Sequence, residues 1–113
     1  MLIYLASPYS HPDEAVRHER YEHACRAAAR IMERGHVVFS PIAHSHSVAA
    51  HLPETLLMDH EFWMKQCLPM VECCHELWVL DIDGHATSRG VRAEIIHAWK
   101  RDIPIRYKCP AFL

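Results

Sequence analysis

Apolar residues follow two alternating rhythms along this chain. Leu2 to Ala6 (LIYLA) is an unbroken apolar run that stops at Ser7-Pro8, the pattern of a strand buried on both faces. Pro12, Asp13 and Glu14 then read as a helix start with acids in its first turn. From there to Arg34, Tyr21, Ala24, Cys25, Ala28, Ile31 and Met32 recur at helical spacing, and Gly35 suits the C-cap. His36 to Phe39 (HVVF) predicts a second strand, ended by Ser40-Pro41. The stretch from Ile42 to Leu52 reads as loop or a short helical turn. A second helical region is expected from Pro53-Glu54, with Leu56, Leu57, His60 and Trp63 or Met64 on one side. Pro69 should interrupt or kink it, since an interior proline costs about 3 kcal/mol. Leu77 to Ile82 (LWVLDI) predicts a third strand. A third helix is expected from about Arg89 to Arg101, with Val91, Ile95, Ala98 and Trp99 toward the core. Ile103 to Tyr107 is a last strand, where Pro104 suits an edge or strand start.

Strands that alternate with helices imply parallel pairing through right-handed crossovers. The expected class is therefore α/β, in one domain spanning residues 1–113, a length that fits a single core. No internal repeat, low-complexity tract or linker is visible.

Charge and composition narrow the function. The net charge of -2 argues against broad electrostatic binding to nucleic acid or an anionic membrane face, though not against a small anionic ligand held locally. No stretch approaches the roughly 20 apolar residues of a membrane span, and the N-terminal run lacks the basic leader of a signal peptide. Five cysteines, an odd number without a CxxC pair, fit reduced thiols in a cytoplasmic protein better than a secreted disulfide scaffold. His44, His46 and His51 raise a metal reading, which requires them to converge; the plainer reading is loop histidines, and no metal or cofactor is expected.

In an open parallel sheet, ligands bind at the carboxyl ends of the strands. Polar residues collect there. Ser7, Pro8, Tyr9 and Ser10 follow the first strand; Ser40, His44 and His46 follow the second; Asp81, Asp83 and Ser88 follow the third. The sharpest local feature is SRGVRAE, Ser88 to Glu94. Ser88 is placed to cap the third helix, whose free N–H groups form an anion pocket. Helical side chains lean toward the N-terminus, so the Glu94 carboxylate should hang over Gly90, where no side chain fills the space. Position alone leaves open the alternative of a cap beside a surface acid paired with Arg92 or His97.

Three pieces carry a resemblance: YLASPYS (Tyr4 to Ser10), GHVVFSPIAHSH (Gly35 to His46), and ELWVLDIDG followed by SRGVRAE (Glu76 to Glu94). In these the chain resembles the nucleoside 2-deoxyribosyltransferase-like superfamily, and within it a group of small bacterial and phage proteins described as a domain of unknown function (DUF1937). The resemblance implies a three-layer Rossmann-like, flavodoxin-related parallel sheet of four to five strands. It implies that Glu94 attacks C1′ of a sugar while the base leaves, with Ser7 and Ser88 touching a 5′-phosphate or sugar hydroxyl and Tyr9 nearby. An ionised carboxylate suits such an oxocarbenium-like step, and the helix N-terminus is expected to keep Glu94 ionised. The pattern departs at one point. Relatives carry Asp or Asn in the helix before the third strand, where the spacing from Trp63 places Cys67. Asp59 and Asp81 are the expected substitutes as second catalytic acid, with Asp83 a further option.

These expectations combine into an N-glycosidase or deoxyribosyltransferase acting on a small nucleoside or nucleoside monophosphate. Its site residues would be Glu94, Asp81 and Asp59 for catalysis and Ser7, Pro8, Tyr9, His46, Asp83, Ser88 and Gly90 for binding. The resemblance also implies a homo-oligomer, dimer or tetramer. The alternatives are a nucleotide- or sugar-phosphate-binding module without turnover, and a metal-dependent hydrolase built on the histidine segment.

Overall fold

The computed structural model describes all 113 residues. Its four strands are β1 (Leu2–Ala6), β2 (Val37–Phe39), β3 (Glu76–Leu80) and β4 (Ile105–Lys108). The helices are α1 (Glu14–Glu33), α2 (Pro41–Ala49), the single turn α3 (Glu54–Leu57), α4 (His60–Glu72) and α5 (Arg89–Lys100), with a 3-10 turn at Pro110–Phe112. All strand pairs are parallel, in the order β2-β1-β3-β4, with Tyr4 opposite both Phe39 and Leu77. This is the flavodoxin-like order with four strands, and the chain reverses its winding direction between β1 and β3.

Alternate residues of the central strands feed two different cores, as the period of two requires. Ile3, Leu5, Trp78 and Leu80 pack on Ala27, Ala28 and Ile31 of α1. Tyr4, Ala6, Leu77 and Val79 pack on Cys67 and Val71 of α4 and Val91 and Ala98 of α5. The three layers that the resemblance implies are thus present.

The termini of α1 follow their sequence signals. Asp13 caps it by accepting from the Ala15 N–H at 2.9 Å, and Gly35 turns the chain out of it at φ 89°. Four sequence expectations need correction. The segment after β2 is a full nine-residue helix, more than the loop or short helical turn expected: Ser40 caps it by accepting from the Ala43 N–H, with Pro41 at the first helical position. Pro69 does not interrupt α4, which runs on to Glu72. Both Pro69 and Lys65, whose carbonyl loses its partner, are exposed, so water can satisfy that carbonyl. The helical region beginning at Glu54 breaks instead at Met58, where Asp59 starts a fresh helix. Finally, Trp99 is 71% exposed on the outer side of α5 and is no part of the core.

Candidate functional site

The carboxyl ends of β1 and β3 open into a cleft of about 430 Å³, at the point where the winding reverses. The loop after β1 forms its floor with Ser7 and Tyr9. One wall is α2, through Ser45 and His46. The other is α4 and the start of α5, through Trp63, Met64, Cys67, Ser88 and Gly90.

Glu94 lies at the bottom of this cleft and is its only carboxylate. It is 3% exposed, and the Tyr4 hydroxyl donates to its Oε2. Two elements distant in sequence meet here: β1 supplies the phenol from the sheet interior, and α5 brings the acid down onto it. Burial pushes the Glu94 carboxyl up to about 8, and the Tyr4 hydrogen bond opposes this only in part. Burial thus favours the neutral carboxyl in the unliganded protein, against the expectation that the helix N-terminus would hold it ionised. Glu94 is the sixth residue of α5, and the helix field fades within the first turn. Desolvation wins by position.

Cys67 of α4 completes the buried trio. Its thiol is pushed up to about 11 by burial first and by the neighbouring Glu94 second. It stands as a neutral S–H, a weak donor and acceptor beside the carboxyl. Burial and then Glu94 also drive the Tyr4 phenol far above its ordinary range, so it remains a hydroxyl donor. Sequence reading missed Tyr4 as a site residue, counting it as core. Its signal is a phenol in the middle of an otherwise apolar central strand, where a buried O–H requires a partner.

Ser7 is the second distinguishing feature. Its hydroxyl is buried in the cleft floor and has no hydrogen-bond partner in the protein. Leaving such a group unpaired costs about 1–3 kcal/mol, a cost that a polar ligand would remove. Above it, Ser88 caps α5 by accepting from the Val91 N–H at 3.2 Å, as expected. A Cβ placed on Gly90 would meet only Met64 Cε at 3.5 Å and Ser88 Oγ at 3.9 Å, so the floor there is kept low rather than crowded.

The rim is basic although the chain is not. His11, Arg20, His60 and Arg89 line the cleft against the single acid. Arg20 comes from α1, donates to the Ser10 carbonyl at 2.9 Å and lies against Gly84 of the loop after β3. Nothing in the α1 pattern distinguishes Arg20 from the exposed Arg26, and sequence reading did not select it. Gly84 itself adopts φ 94°, a left-handed conformation suited to glycine.

His46 is held on three sides. Its Nδ1 is 2.8 Å from the Tyr9 hydroxyl, and its ring stacks on Tyr21 at 4.0 Å between centroids, 19° from parallel. His18 lies 6.0 Å away. Of the site expected from sequence, Ser7, Tyr9, His46, Ser88, Gly90 and Glu94 are thus gathered in one cleft. Pro8, also expected there, is fully buried and does not line the cleft.

The other expected residues are not brought there. Asp59 caps α4 by accepting from the Phe62 N–H at 3.1 Å. Asp81 is half exposed beside His85 at 3.4 Å, and Asp83 is exposed. None of the three lines the cleft. Asp81 and Asp83 follow directly on β3, where the chain turns to the surface before α5. His44, His46 and His51 do not converge either: His44 packs against Phe39, His51 is exposed, and no three His, Cys, Asp or Glu side chains are grouped as metal ligands.

With this geometry established, comparison with known proteins gives the chain a family. Residues 1–108 match the model described as Domain of unknown function (DUF1937), and the chain belongs to that family. No curated protein matches it. Among solved structures, it is similar to a 2-deoxyribosyltransferase from Bacillus psychrosaccharolyticus, with a TM-score of 0.64 and 23% identity over 97% of this chain and 73% of that one. The shared feature is the nucleoside 2-deoxyribosyltransferase-like fold.

Proposed function

We propose that this DUF1937 member is an N-glycosidase or deoxyribosyltransferase for a nucleoside or nucleoside monophosphate, with Glu94 as the nucleophile at C1′. The observation that carries the reading is the buried carboxyl of Glu94, the cleft's one acid, held by Tyr4 and lying in the same cleft as the unpartnered Ser7 hydroxyl. A carboxylate so placed stabilises positive charge developing at an anomeric carbon and can trap it covalently. Once deprotonated, Glu94 forms a bond to C1′ as the bond to the base nitrogen breaks; water or a second base then displaces the carboxylate. Dehydration strengthens the interaction of Glu94 with the developing cation, because little water competes. The α5 N-terminus, Ser7 and the Arg20–Arg89 rim suit a 5′-phosphate, so a nucleoside monophosphate fits better than a free nucleoside. The similarity to a 2-deoxyribosyltransferase supports the same substrate class.

The test is release of free base from a panel of nucleosides and 5′-monophosphates, followed by chromatography. Release by the wild type and its loss in Glu94→Ala are expected. A complete panel without release at high protein concentration would overturn the reading.

A second reading, a nucleotide-binding module without turnover, is favoured by Cys67 in place of an acid and by the lone, protonated carboxyl. It predicts thermal stabilisation by nucleoside monophosphates with no product. A homo-oligomer, dimer or tetramer, belongs to the same proposal. Ile96 and Trp99, one turn apart on the outer side of α5, are 43% and 71% exposed and would gain from burial in an interface. Light scattering in solution tests this directly. No helix is long and apolar enough to cross a membrane.

A further inference from the structure

Resting on the glycosidic reading above, we infer that His46, positioned by Tyr9, donates the proton that lets the base depart. A nucleoside base leaves C1′ poorly as an anion, and protonation of the base as the bond breaks relieves this. The cleft lacks the second carboxyl that would do so: Glu94 is its only acid, and Asp59, Asp81 and Asp83 lie outside it. The proton must then come from another group with exchangeable hydrogen at the same cleft.

His46 is built for that task. The Tyr9 hydroxyl fixes Nδ1 at 2.8 Å, Tyr21 covers one face of the ring, and Nε2 has no partner in the protein. Cationic histidine donates from both nitrogens. Nδ1–H can keep its bond to the Tyr9 oxygen before and after transfer, so loss of the Nε2 proton requires no change of tautomer. Tyr9 itself is raised above its ordinary range by burial, and so remains a neutral hydroxyl. His46 also stands on α2, in the wall of the cleft at whose bottom Glu94 of α5 lies, so acid and nucleophile face the same space.

In the reacting state the carboxyl proton of Glu94 has passed through water to His46 Nε2, leaving a carboxylate and an imidazolium. A carboxylate oxygen of Glu94 bonds to C1′. The C1′–N bond breaks with its electron pair going to the base, and the Nε2 proton moves to that base. In the second half, water attacks C1′ and gives one proton to Nε2 while the Glu94–C1′ bond breaks. The products are free base and free sugar, with both side chains restored. His60 also faces the cleft, but burial and the nearby Arg89 lower its pKa, which disfavours the cation that would donate.

The experiment compares two leaving groups. Base release is measured from 2′-deoxyguanosine 5′-monophosphate and from its N7-methylated form, whose base already carries positive charge and leaves without a proton. His46→Gln and His46→Asn should lose about 100-fold on the first substrate and change less than about threefold on the second, the range of general acid catalysis. Tyr9→Phe, which removes a positioning group, should show the same asymmetry at smaller size. Equal loss on both substrates in folded variants, checked by thermal melting, would overturn the assignment, as would no loss on either. If the wild type releases base from neither substrate, the glycosidic reading fails first and this inference with it.

Discussion

The two faces of the sheet are built from the same strands and differ in one respect. On the α1 face, Ile3, Leu5, Trp78 and Leu80 meet Ala27, Ala28 and Ile31 in a core of apolar contacts. On the α4/α5 face, Tyr4 stands where a plain hydrophobe would serve as well, and Glu94 and Cys67 close over it. Burying a carboxyl carries a desolvation cost that the first face avoids entirely. A chain that builds one clean core and places polar groups in the other marks the second as the candidate place for its chemistry.

This contrast can be broken by substitution. The largest effect is expected for Glu94→Gln, which keeps the shape and can still accept from Tyr4. It should reduce base release by about 1,000-fold or more, roughly 4 kcal/mol of barrier. Leu5→Ala on the opposite face should instead cost about 2–5 kcal/mol of stability by opening a cavity. Its rate per folded molecule should stay near that of the wild type. Chemical unfolding followed by base-release kinetics on both variants checks this pair; a Leu5→Ala enzyme that folds but is as inactive as Glu94→Gln would erase the distinction between the faces.

Tyr4→Phe sharpens the contrast next. It removes the hydrogen bond that lowers the Glu94 pKa, so the carboxyl should titrate at still higher pH. With the N7-methylated substrate, whose base needs no proton, base release at neutral pH should fall about tenfold and recover in part as pH rises. With that substrate the wild-type rate should climb with pH through about 8 as Glu94 ionises. Stability should move the other way. The unfolded chain releases this proton near 4.5 and the folded chain near 8, so the folded state holds more protons between them. The stabilisation is complete below 4.5 and is lost as pH rises through about 8. Melting curves should therefore show Glu94→Gln gaining on the wild type from acid to alkaline pH, on the order of 5 kcal/mol at the alkaline end.

The smallest effect is expected at Ser7. Ser7→Ala removes a buried hydroxyl that has no partner in the protein, so the free protein should be as stable or slightly more so. Affinity for a nucleoside monophosphate should fall about tenfold, roughly 1.4 kcal/mol. Calorimetric titration checks this, and unchanged affinity would remove Ser7 from the binding site.

The alternation of strand and helix was legible because its periods are distinct, and so was the anion-suited start of α5, where Ser88 announces a cap. The helix after β2 was not, since PIAHSHSVA lacks an apolar stripe and Ser40-Pro41 reads equally as a strand stop or as a cap with proline behind it. Trp99 misled because it keeps helical phase with Val91 and Ile95, yet the helix turns it toward solvent. At the site, Glu94 could be found from its offset to Gly90. Its protonation could not, because desolvation depends on what packs above it. Asp59, Asp81 and Asp83 looked available for the opposite reason: acids near strand ends are common, and a linear reading cannot tell a helix cap or a surface loop from a cleft wall. Arg20 reaches the cleft from mid-helix, a placement that only the tertiary fold creates.

Tyr4 and Glu94 are 90 residues apart in the chain and meet side by side. A polypeptide emerging from its N-terminus holds the phenol almost from the outset but gains the acid only with its final helix. Until α5 docks, Tyr4 lacks its partner and the cleft lacks one wall. The pocket is therefore complete only once α5 has docked, however much of the sheet has formed before it.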